Sequence, residues 1–250
     1  MSPIAILLAA GKGTRMRSEL PKVLHPLAGR PLLAHPLRAA HEAGASRAIV
    51  VVGHGAEAVE QAAREHAPEG MTIDCALQAE QNGTGHAVLC ALEALGDYDG
   101  PVWILSGDVP LLRAATLRTL ADDCLRDGVS MSMLSFEPVE PFGYGRVLRD
   151  GGGDVLVIRE QRDATPDEAR VGEVNAGVYC VPAKLLRRHI PQLGTNNAQG
   201  EMYLTDLIEL ARTGGRVLAR VVDELEVAGV NTPEQLAALE TAYERAQAPG

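Results

Sequence analysis

The stretch Ile6–Met16, ILLAAGKGTRM, is an apolar run that breaks into a glycine-rich loop carrying Lys12 and Arg15. A continuous apolar run predicts a strand that is buried on both faces of a sheet. A glycine-rich loop after such a strand lets backbone N–H groups approach a ligand, and such loops commonly hold phosphate. Lys22 follows in LPKVLHPLAGRPLL and adds a local positive charge. We therefore expect a phosphate site at the end of the first strand.

Two well-known phosphate loops do not fit this sequence. The P-loop requires G-x-x-x-x-G-K-[ST], but the sixth residue counted from Gly11 is Met16. The dinucleotide fingerprint requires G-x-G-x-x-G, and Met16 replaces the glycine that allows close packing of helix on strand. What remains is A-A-G-x-G-T-R-M followed by P-K. The loop alone fits a solvated turn equally well, but the joint spacing favours phosphate, which Arg15 can hold through two oxygens.

Apolar β-branched runs alternate with alanine- and leucine-rich stretches of helical period in the first half of the chain. The predicted strands are Ile4–Ala9, Ala48–Gly53, Met71–Gln78 and Val102–Ser106. The predicted helices are Pro31–Ala43, Ala56–His66, Gly85–Leu95 and Ala114–Arg126. This alternation implies right-handed βαβ crossovers. The fold class is therefore α/β, with a Rossmann-like, mostly parallel sheet flanked by helices.

The second half predicts an antiparallel excursion from this sheet. Its predicted strands are Val129–Glu137, Arg146–Arg149, Val155–Arg159 and Glu173–Val181, with RDGGGD as a hairpin turn between the middle two. Two helices, a strand and a closing helix follow, at Pro182–His189, Tyr203–Arg212, Arg216–Val222 and Pro233–Gln247. Thr232 suits the N-cap of the closing helix, and Pro233 suits its first turn.

Composition excludes several classes of protein. The 250-residue chain has a formal net charge of −10, which argues against a nucleic-acid partner because such surfaces are basic. No apolar run approaches the roughly 20 residues of a membrane helix, and the first apolar run lacks the flanks of a secretory signal. We therefore expect a cytoplasmic protein without a membrane partner. The four cysteines lack metal-site spacing and predict reduced, buried thiols.

The motifs together resemble the nucleotidyltransferases that make nucleotide sugars. The resemblance begins with LAAGKGTRM and LPKVLHPLAGRPLL and continues through LQAEQNGTGHA, SGDVPLL, GYGRV, VNAGVY, NNAQGEMYLTD and VAGVN, over nearly the whole chain. More narrowly, the sequence is similar to the N-terminal pyrophosphorylase domain of the bifunctional bacterial N-acetylglucosamine-1-phosphate uridyltransferases. The resemblance implies the nucleotide-diphospho-sugar transferase fold over residues 1–230, with residues 231–250 as a C-terminal helix on the linker side.

The implied reaction transfers the uridylyl group of UTP to N-acetylglucosamine 1-phosphate and gives UDP-N-acetylglucosamine and pyrophosphate. The resemblance also implies that Mg²⁺ is the cofactor and that the product serves cell-wall precursor synthesis. Asp108 follows the apolar strand VWILSG, at the sheet edge where such folds bind ligands, and a carboxylate there suits Mg²⁺. A helix-capping role is the alternative for Asp108. The resemblance makes Asn231 the second metal contact, although Asn231 taken alone reads as a turn residue before a helix.

The remaining roles also follow from the resemblance. Arg15, Lys22 and Asp108 are the expected catalytic residues. Gln78 is expected on the uracil, and an amide that donates and accepts suits a pyrimidine imide. The expected substrate-binding residues are Leu8, Ala9, Ala10, Gly11, Lys22, Gln78, Gly83, Thr84, Ser106, Gly107, Asp108, Gly145, Glu160, Asn175, Tyr203, Thr205 and Asn231. Of these, Gly145, Glu160 and Asn175 surround the sugar, and Tyr203 and Thr205 face it. His86 is expected to be structural.

The sequence also departs from the family pattern. Ser106 stands where an aromatic residue is expected. No hexapeptide repeats of a left-handed β-helix acetyltransferase domain are present, so we expect no acetyltransferase activity from this chain, and a trimer only if the full-length chain carries that domain. Three alternatives stay open. The first is a nucleotidyltransferase that transfers another nucleotidyl group, such as thymidylyl or cytidylyl, or that uses another hexose 1-phosphate. The others are a non-catalytic nucleotide-sugar sensor and a dinucleotide-dependent oxidoreductase, which the missing third glycine disfavours.

Overall fold

A computed structural model of the chain describes residues 1–247. The predicted C-terminal segment, residues 231–250, runs past this limit, and its last three residues lie outside the described part. The strands are β1 (Ile4–Leu8), β2 (Pro26–Leu27), β3 (Arg30–Pro31), β4 (Arg47–Val52), β5 (Thr72–Leu77), β6 (Pro101–Ser106), β7 (Val129–Phe136), β8 (Arg146–Arg149), β9 (Val155–Arg159), β10 (Val174–Pro182) and β11 (Arg216–Val221). The helices are α1 (Ala34–Glu42), α2 (Ala56–Glu65), α3 (Thr84–Leu95), α4 (Ala114–Cys124), α5 (Ala183–His189), α6 (Leu207–Ala211), α7 (Glu224–Val227) and α8 (Pro233–Gln247).

The main sheet has the strand order β11-β7-β10-β6-β1-β4-β5. Strands β6, β1, β4 and β5 are parallel, and β10 runs antiparallel between β6 and β7. The β8–β9 hairpin joins through β8 to β10. The predicted α/β class, with its mostly parallel sheet and antiparallel excursion, is therefore confirmed. The chain leaves β1 toward β4 and β5 and returns to the other side of β1 as β6, so a crevice opens between β1 and β6.

Helices cover both faces of the sheet because the central strands are apolar on both faces. In β1, Ala5 and Leu7 belong to one buried cluster with residues of α1, α2 and α4. Ile4 and Ile6 belong to the other, with residues of α3, α5 and α6. Successive side chains of a strand point to opposite faces, so a run without polar residues fills both layers.

A third, small cluster joins the two ends of the chain. It consists of Met16, Leu27, Leu32, Val230 and Leu239, each at most 4% exposed. The first three lie in or beside the opening loop and the β2–β3 hairpin, whereas Val230 precedes α8 and Leu239 lies within it. Burial of these side chains holds α8 against the opening loop, which sequence periodicity does not indicate.

The structure differs from the predicted elements at several boundaries and in two small elements that were not predicted, the β2–β3 hairpin and α7. The predicted helix Pro31–Ala43 starts only at Ala34, because Arg30 and Pro31 pair with the strand before them. The predicted helix Tyr203–Arg212 is a 3-10 turn followed by α6, since Tyr203 is extended. Helix α3 begins at Thr84 rather than Gly85. The short helix α7, missed by the sequence analysis, is capped by Asp223, whose side chain accepts from the N–H of Leu225 at 2.9 Å.

Within residues 1–247, none of the helices combines the length and the apolarity that a bilayer crossing requires.

Candidate active site

Four polar side chains from four separate segments meet beside the β1–β6 crevice. Lys22 Nζ forms an ion pair with Asp108 Oδ2 and donates to Asn231 Oδ1 at 3.2 Å. Arg15 Nη2 donates to the same Asn231 Oδ1 at 2.9 Å. The side chains of Lys22 and Asp108 are 18% and 14% exposed, so little solvent screens this pair. The structure thus brings together the three predicted catalytic residues and both predicted metal contacts.

Close backbone packing positions Lys22 and Asp108. Asp108 follows β6, and the preceding Gly107 donates its N–H to the carbonyl of Leu8 at 3.0 Å. Gly13 has φ +61, and a Cβ there would lie 2.5 Å from the Cβ of Lys22. Glycine at position 13 therefore allows Lys22 to reach Asp108. The capping alternative for Asp108 is excluded, because Arg113 holds the N-cap position of α4.

The start of α8 holds Asn231. The N–H of Val230 donates to the carbonyl of Asp108 at 3.0 Å. Thr232 and Gln235 then form a reciprocal capping box: the Gln235 N–H donates to Thr232 Oγ1 at 3.3 Å, and Gln235 Oε1 accepts from the Thr232 N–H at 3.2 Å and the Asn231 N–H at 2.8 Å. Asn231 is therefore both a turn residue before a helix and a side chain of the site.

The donor set suits a hard divalent cation. Asp108 Oδ2 and Asn231 Oδ1 both contact the ammonium of Lys22, so the two oxygens converge on the position of one cation. A carboxylate and an amide oxygen are ligands that Mg²⁺ accepts alongside water and phosphate oxygens. Across the described residues, 1–247, no group of three or more His, Cys, Asp or Glu forms a preassembled metal cluster. The fit therefore rests on this one oxygen pair.

The backbone of the opening loop lies at the carboxyl ends of β1 and β4. The Ala9 N–H donates to Val51, and the Ala10 carbonyl accepts from His54 at 3.1 Å. Gly11 is exposed, and a Cβ added there would meet no protein atom within 4 Å. Protein packing therefore does not explain the glycine at position 11, whereas close approach of a ligand to the backbone would explain it. Ser106 ends β6, where its hydroxyl would lie 3.6 Å from a Cβ at Gly177.

Gln78 lies directly after β5 and is 3% exposed. Its backbone N–H donates to Val52 at 2.8 Å. Its side-chain Nε2 donates to the carbonyl of Gly83 at 3.0 Å and contacts His86 Nδ1 at 3.1 Å. The sequence analysis expected this amide to donate and accept toward a base. The structure instead commits both N–H groups of the amide to protein acceptors.

Gly83, Thr84 and Gly85 pack against the segment around Met202. The Met202 N–H donates to the Asn82 carbonyl at 2.8 Å, and the Met202 carbonyl accepts from the Gly85 N–H at 2.8 Å. A Cβ on Gly83 would lie 2.5 Å from that carbonyl oxygen. Gly83 holds the N-cap position of α3, and Thr84 Oγ1 accepts from the Leu204 N–H at 3.1 Å. These residues join the predicted base loop to the predicted sugar segment.

The predicted sugar residues lie near one another and form two separate hydrogen-bonded pairs. Thr205 Oγ1 donates to Glu160 Oε1 at 2.9 Å, and a Cβ on Gly145 would lie 3.3 Å from the same oxygen. Asn175 Nδ2 donates to the Tyr179 hydroxyl at 2.7 Å. Glu160 is half-buried although it lies in a charged stretch of the sequence, IREQRDA. Burial raises the pKa of Glu160, the Thr205 hydrogen bond lowers it, and nearby carboxylates raise it further.

Sequence reasoning missed two residues near the site, Asp163 and Tyr144. Asp163 accepts from the Tyr203 hydroxyl at 3.3 Å and from the Ala198 N–H at 2.9 Å. Tyr144, quoted only within GYGRV, packs edge-on against Phe136 with ring centroids 5.2 Å apart. Burial raises the pKa of Tyr144, and the charges of Glu224, Arg15 and Asp108 also act on it. No sequence pattern indicates these contacts of Asp163 and Tyr144. The neighbouring residues in the chain, such as Glu201 near Tyr203 and Gly143 next to Tyr144, form no motif that would locate them.

Comparisons with known proteins show the family and the fold of this chain. The model of the MobA-like NTP transferase domain matches residues 5–196. The bifunctional protein GlmU of Pelobacter propionicus is 52% identical over 235 residues, which cover 93% of this chain and 50% of that protein. The GlmU proteins of Geobacter sulfurreducens and Anaeromyxobacter dehalogenans strain 2CP-C are 48% and 51% identical, each over 93% of this chain and 48% of their own length.

The chain therefore spans about half the length of these relatives. A solved structure of a UDP-glucose pyrophosphorylase complexed with UDP-glucose superposes with a TM-score of 0.79. It covers 99% of this chain and 100% of its own, at 17% sequence identity. At that identity the match shows a shared fold, the nucleotide-diphospho-sugar transferase fold that the sequence predicts.

Proposed function

This chain belongs to the family of MobA-like NTP transferase domains, and we propose that it transfers the uridylyl group of UTP to N-acetylglucosamine 1-phosphate. The products are UDP-N-acetylglucosamine and pyrophosphate. The convergence of Arg15, Lys22, Asp108 and Asn231 carries this proposal. The identity of about half to the GlmU proteins supports the choice of nucleotide and sugar.

The reaction is an in-line displacement at phosphorus. A phosphate oxygen of the sugar 1-phosphate attacks the α-phosphorus of UTP, the bond from that phosphorus to the bridging oxygen breaks, and pyrophosphate leaves with the bond's electrons. The attacking oxygen is already anionic, so no side chain has to remove a proton. Catalysis then depends on positioning the two phosphates and neutralising charge.

Arg15 and Lys22 supply this neutralisation. Both are held against Asn231 Oδ1, so their charges are positioned before substrate binds. The Arg15 guanidinium can hold two phosphate oxygens, and Lys22 acts as a compact charge where pyrophosphate departs. Asp108 and Asn231 would hold Mg²⁺, which when bound neutralises phosphate charge.

We assign the base to the loop around Gln78 and Gly83 and the sugar to the residues around Glu160 and Thr205. The Met202 segment connects these two groups of residues. We propose that Gln78 contacts the uracil and that Gly83 and Thr84 lie beside the nucleotide. The opening loop residues Leu8, Ala9, Ala10 and Gly11, with Ser106 and Gly107, line the nucleotide. Gly145, Glu160, Asn175, Tyr203 and Thr205 orient the sugar, since carboxylate and amide groups suit sugar hydroxyls. The free cysteines fit a cytoplasmic setting, which we propose for the reaction.

Pyrophosphate release by the purified protein tests the proposal. With Mg²⁺, UTP and N-acetylglucosamine 1-phosphate should give pyrophosphate, whereas CTP, dTTP or other hexose 1-phosphates should give far less. Lys22→Ala and Asp108→Asn should each lower kcat about 100-fold or more, because transition-state charge is no longer neutralised. Lys184→Ala and Asp122→Asn remove equivalent charges from exposed positions on α5 and α4 and should leave kcat unchanged.

Two results would overturn the proposal. Efficient turnover with a different nucleotide and sugar pair would retain the reaction class and replace the substrates. Binding of UTP without pyrophosphate release from any pair would indicate a sensor.

A further inference from the structure

His86 contacts a buried amide that the reaction scheme assigns to the base. His86 Nδ1 lies 3.1 Å from Gln78 Nε2, and His86 Nε2 lies 3.9 Å from Cys90 Sγ, one turn further along α3. A neutral ring with its proton on Nε2 satisfies both contacts, because Nδ1 then accepts from the amide while Nε2 donates to sulfur. The Gly83 carbonyl accepts the second amide proton at 3.0 Å.

These two acceptors determine which edge of the Gln78 amide is left over. With both N–H groups taken, the carbonyl oxygen Oε1 remains, and no hydrogen bond engages it within residues 1–247. Gln78 is 3% exposed, and Oε1 is not completely enclosed by protein atoms. The side chain therefore offers an incoming base an acceptor and no donor.

Resting on the proposed function, we propose that His86 is a positioning residue that sets base specificity by fixing the orientation of the Gln78 amide. Uracil carries an N–H at ring position 3, which can donate to Oε1. Cytosine carries an unprotonated acceptor nitrogen at that position, which would face Oε1 without a proton between them. A buried acceptor left facing another acceptor loses its hydrogen bond and its hydration, so CTP is disfavoured.

Removal of the His86 acceptor relaxes this orientation. Rotation of the Gln78 amide by half a turn would exchange Oε1 and Nε2. Oε1 would then face the Gly83 carbonyl, which is unfavourable because both oxygens are acceptors, and it would also face residue 86. In the wild-type protein the rotation also removes the hydrogen bond to Nδ1, unless the ring moves its proton from Nε2 to Nδ1 and gives up its donation to Cys90 Sγ. Without that bond only the Gly83 carbonyl opposes the rotated amide, which can donate to cytosine. Without the His86 acceptor, the preference for UTP over CTP should therefore decrease while both nucleotides still bind.

The test compares kcat/KM for UTP and CTP, measured by pyrophosphate release, in the wild type and three variants. His86→Leu should lower the UTP-to-CTP ratio about tenfold, in the range expected for one lost buried hydrogen bond. His86→Asn keeps an acceptor oxygen close to the position of Nδ1 and should restore most of the ratio. Thr84→Val removes the contact of Thr84 with the Leu204 N–H and should lower both kcat/KM values by the same factor.

The outcomes separate this inference from the proposed function. A wild-type protein that uses UTP selectively, with an unchanged ratio in His86→Leu, would overturn the role of His86 and leave the proposed function intact. An equal loss of ratio in Thr84→Val would overturn it too, since general disturbance of the loop would then explain the change. A wild type that does not distinguish UTP from CTP would contradict both. Binding of each nucleotide measured by calorimetry provides the same ratio if a variant turns over too slowly.

Discussion

Substitution of Gly83 by alanine tests the link between the base loop and the sugar segment. Gly83 has φ +104, and a Cβ there would lie 2.5 Å from the backbone oxygen of Met202 and 3.0 Å from the Cβ of Glu201. A backbone oxygen cannot rotate away as a flexible side chain can. The alanine must therefore push the Met202 segment away from the loop.

The structure allows the cost to be separated into two parts. An L-residue in the positive-φ region costs about 1–2 kcal/mol. Displacement of Met202 also weakens its two 2.8 Å hydrogen bonds, with Asn82 and Gly85, each contributing about 1 kcal/mol. We expect Gly83→Ala to lower the free energy of unfolding by about 3 kcal/mol in total.

Gly44→Ala is a matched control. Gly44 has φ +113, and a Cβ there would meet nothing within 4 Å. It follows α1 and lies outside the candidate site, so it should show the backbone cost alone, about 1–2 kcal/mol. Urea denaturation measures both free energies of unfolding, and pyrophosphate release measures KM for each substrate. Gly83→Ala should also raise KM for UTP and for the sugar phosphate, whereas Gly44→Ala should change neither.

Equal losses of stability in the two variants, with unchanged KM values in both, would refute this reasoning. The close approach of Met202 to Gly83 would then carry no energetic weight, and the base loop and sugar segment would be independent.

Three further predictions concern α8 and Glu160. Thr232→Ala should lower the free energy of unfolding by about 1 kcal/mol in urea, because it removes one half of the capping box; an unchanged midpoint would contradict that role. Leu239→Ala should lower the free energy of unfolding by about 3 kcal/mol and lower kcat about tenfold, because it loosens the helix that holds Asn231. Leu225→Ala, at an exposed position, should lower the free energy of unfolding by less than about 1 kcal/mol. A loss of stability in Leu239→Ala with unchanged kcat would show that the cluster does not position Asn231. Burial raises the pKa of Glu160, so its contribution to stability is complete below the unfolded value of about 4.3 and is lost as pH rises through the folded value. Wild-type stability relative to Glu160→Gln should therefore fall as pH rises, and a difference that stays flat from pH 4 to 7 would contradict the shift.

Local patterns predicted most of the fold because short-range chemistry dictates it. The apolar run of β1 has no polar side chain to expose, so it must be covered on both faces. RDGGGD supplies the turn that the β8–β9 hairpin requires. The prediction was wrong at Pro31, which resembles a helix start but pairs with Pro26 in a short hairpin.

The residues of the candidate site were named from motifs, but their contacts could not be derived from them. The catalytic cluster spans sequence separations as large as the 216 residues between Arg15 and Asn231. No periodicity connects such positions. Gly83 illustrates the same limit: the sequence analysis assigned its glycine to ligand approach, whereas the structure shows that the Met202 backbone also requires it.

The sequence by itself determined the α/β class, the order of most elements and the residue types that can hold phosphate, because these depend on side-chain period and on chemistry within a few residues. The tertiary structure alone decided which groups share a site. Burial of Met16, Val230 and Leu239 in one cluster brings Asn231 to Arg15 and Lys22. The folded loop likewise directs the Gln78 amide nitrogen to the Gly83 carbonyl and to His86. The cluster follows from excluding water between segments that are distant in the chain, and only the folded chain brings those segments together.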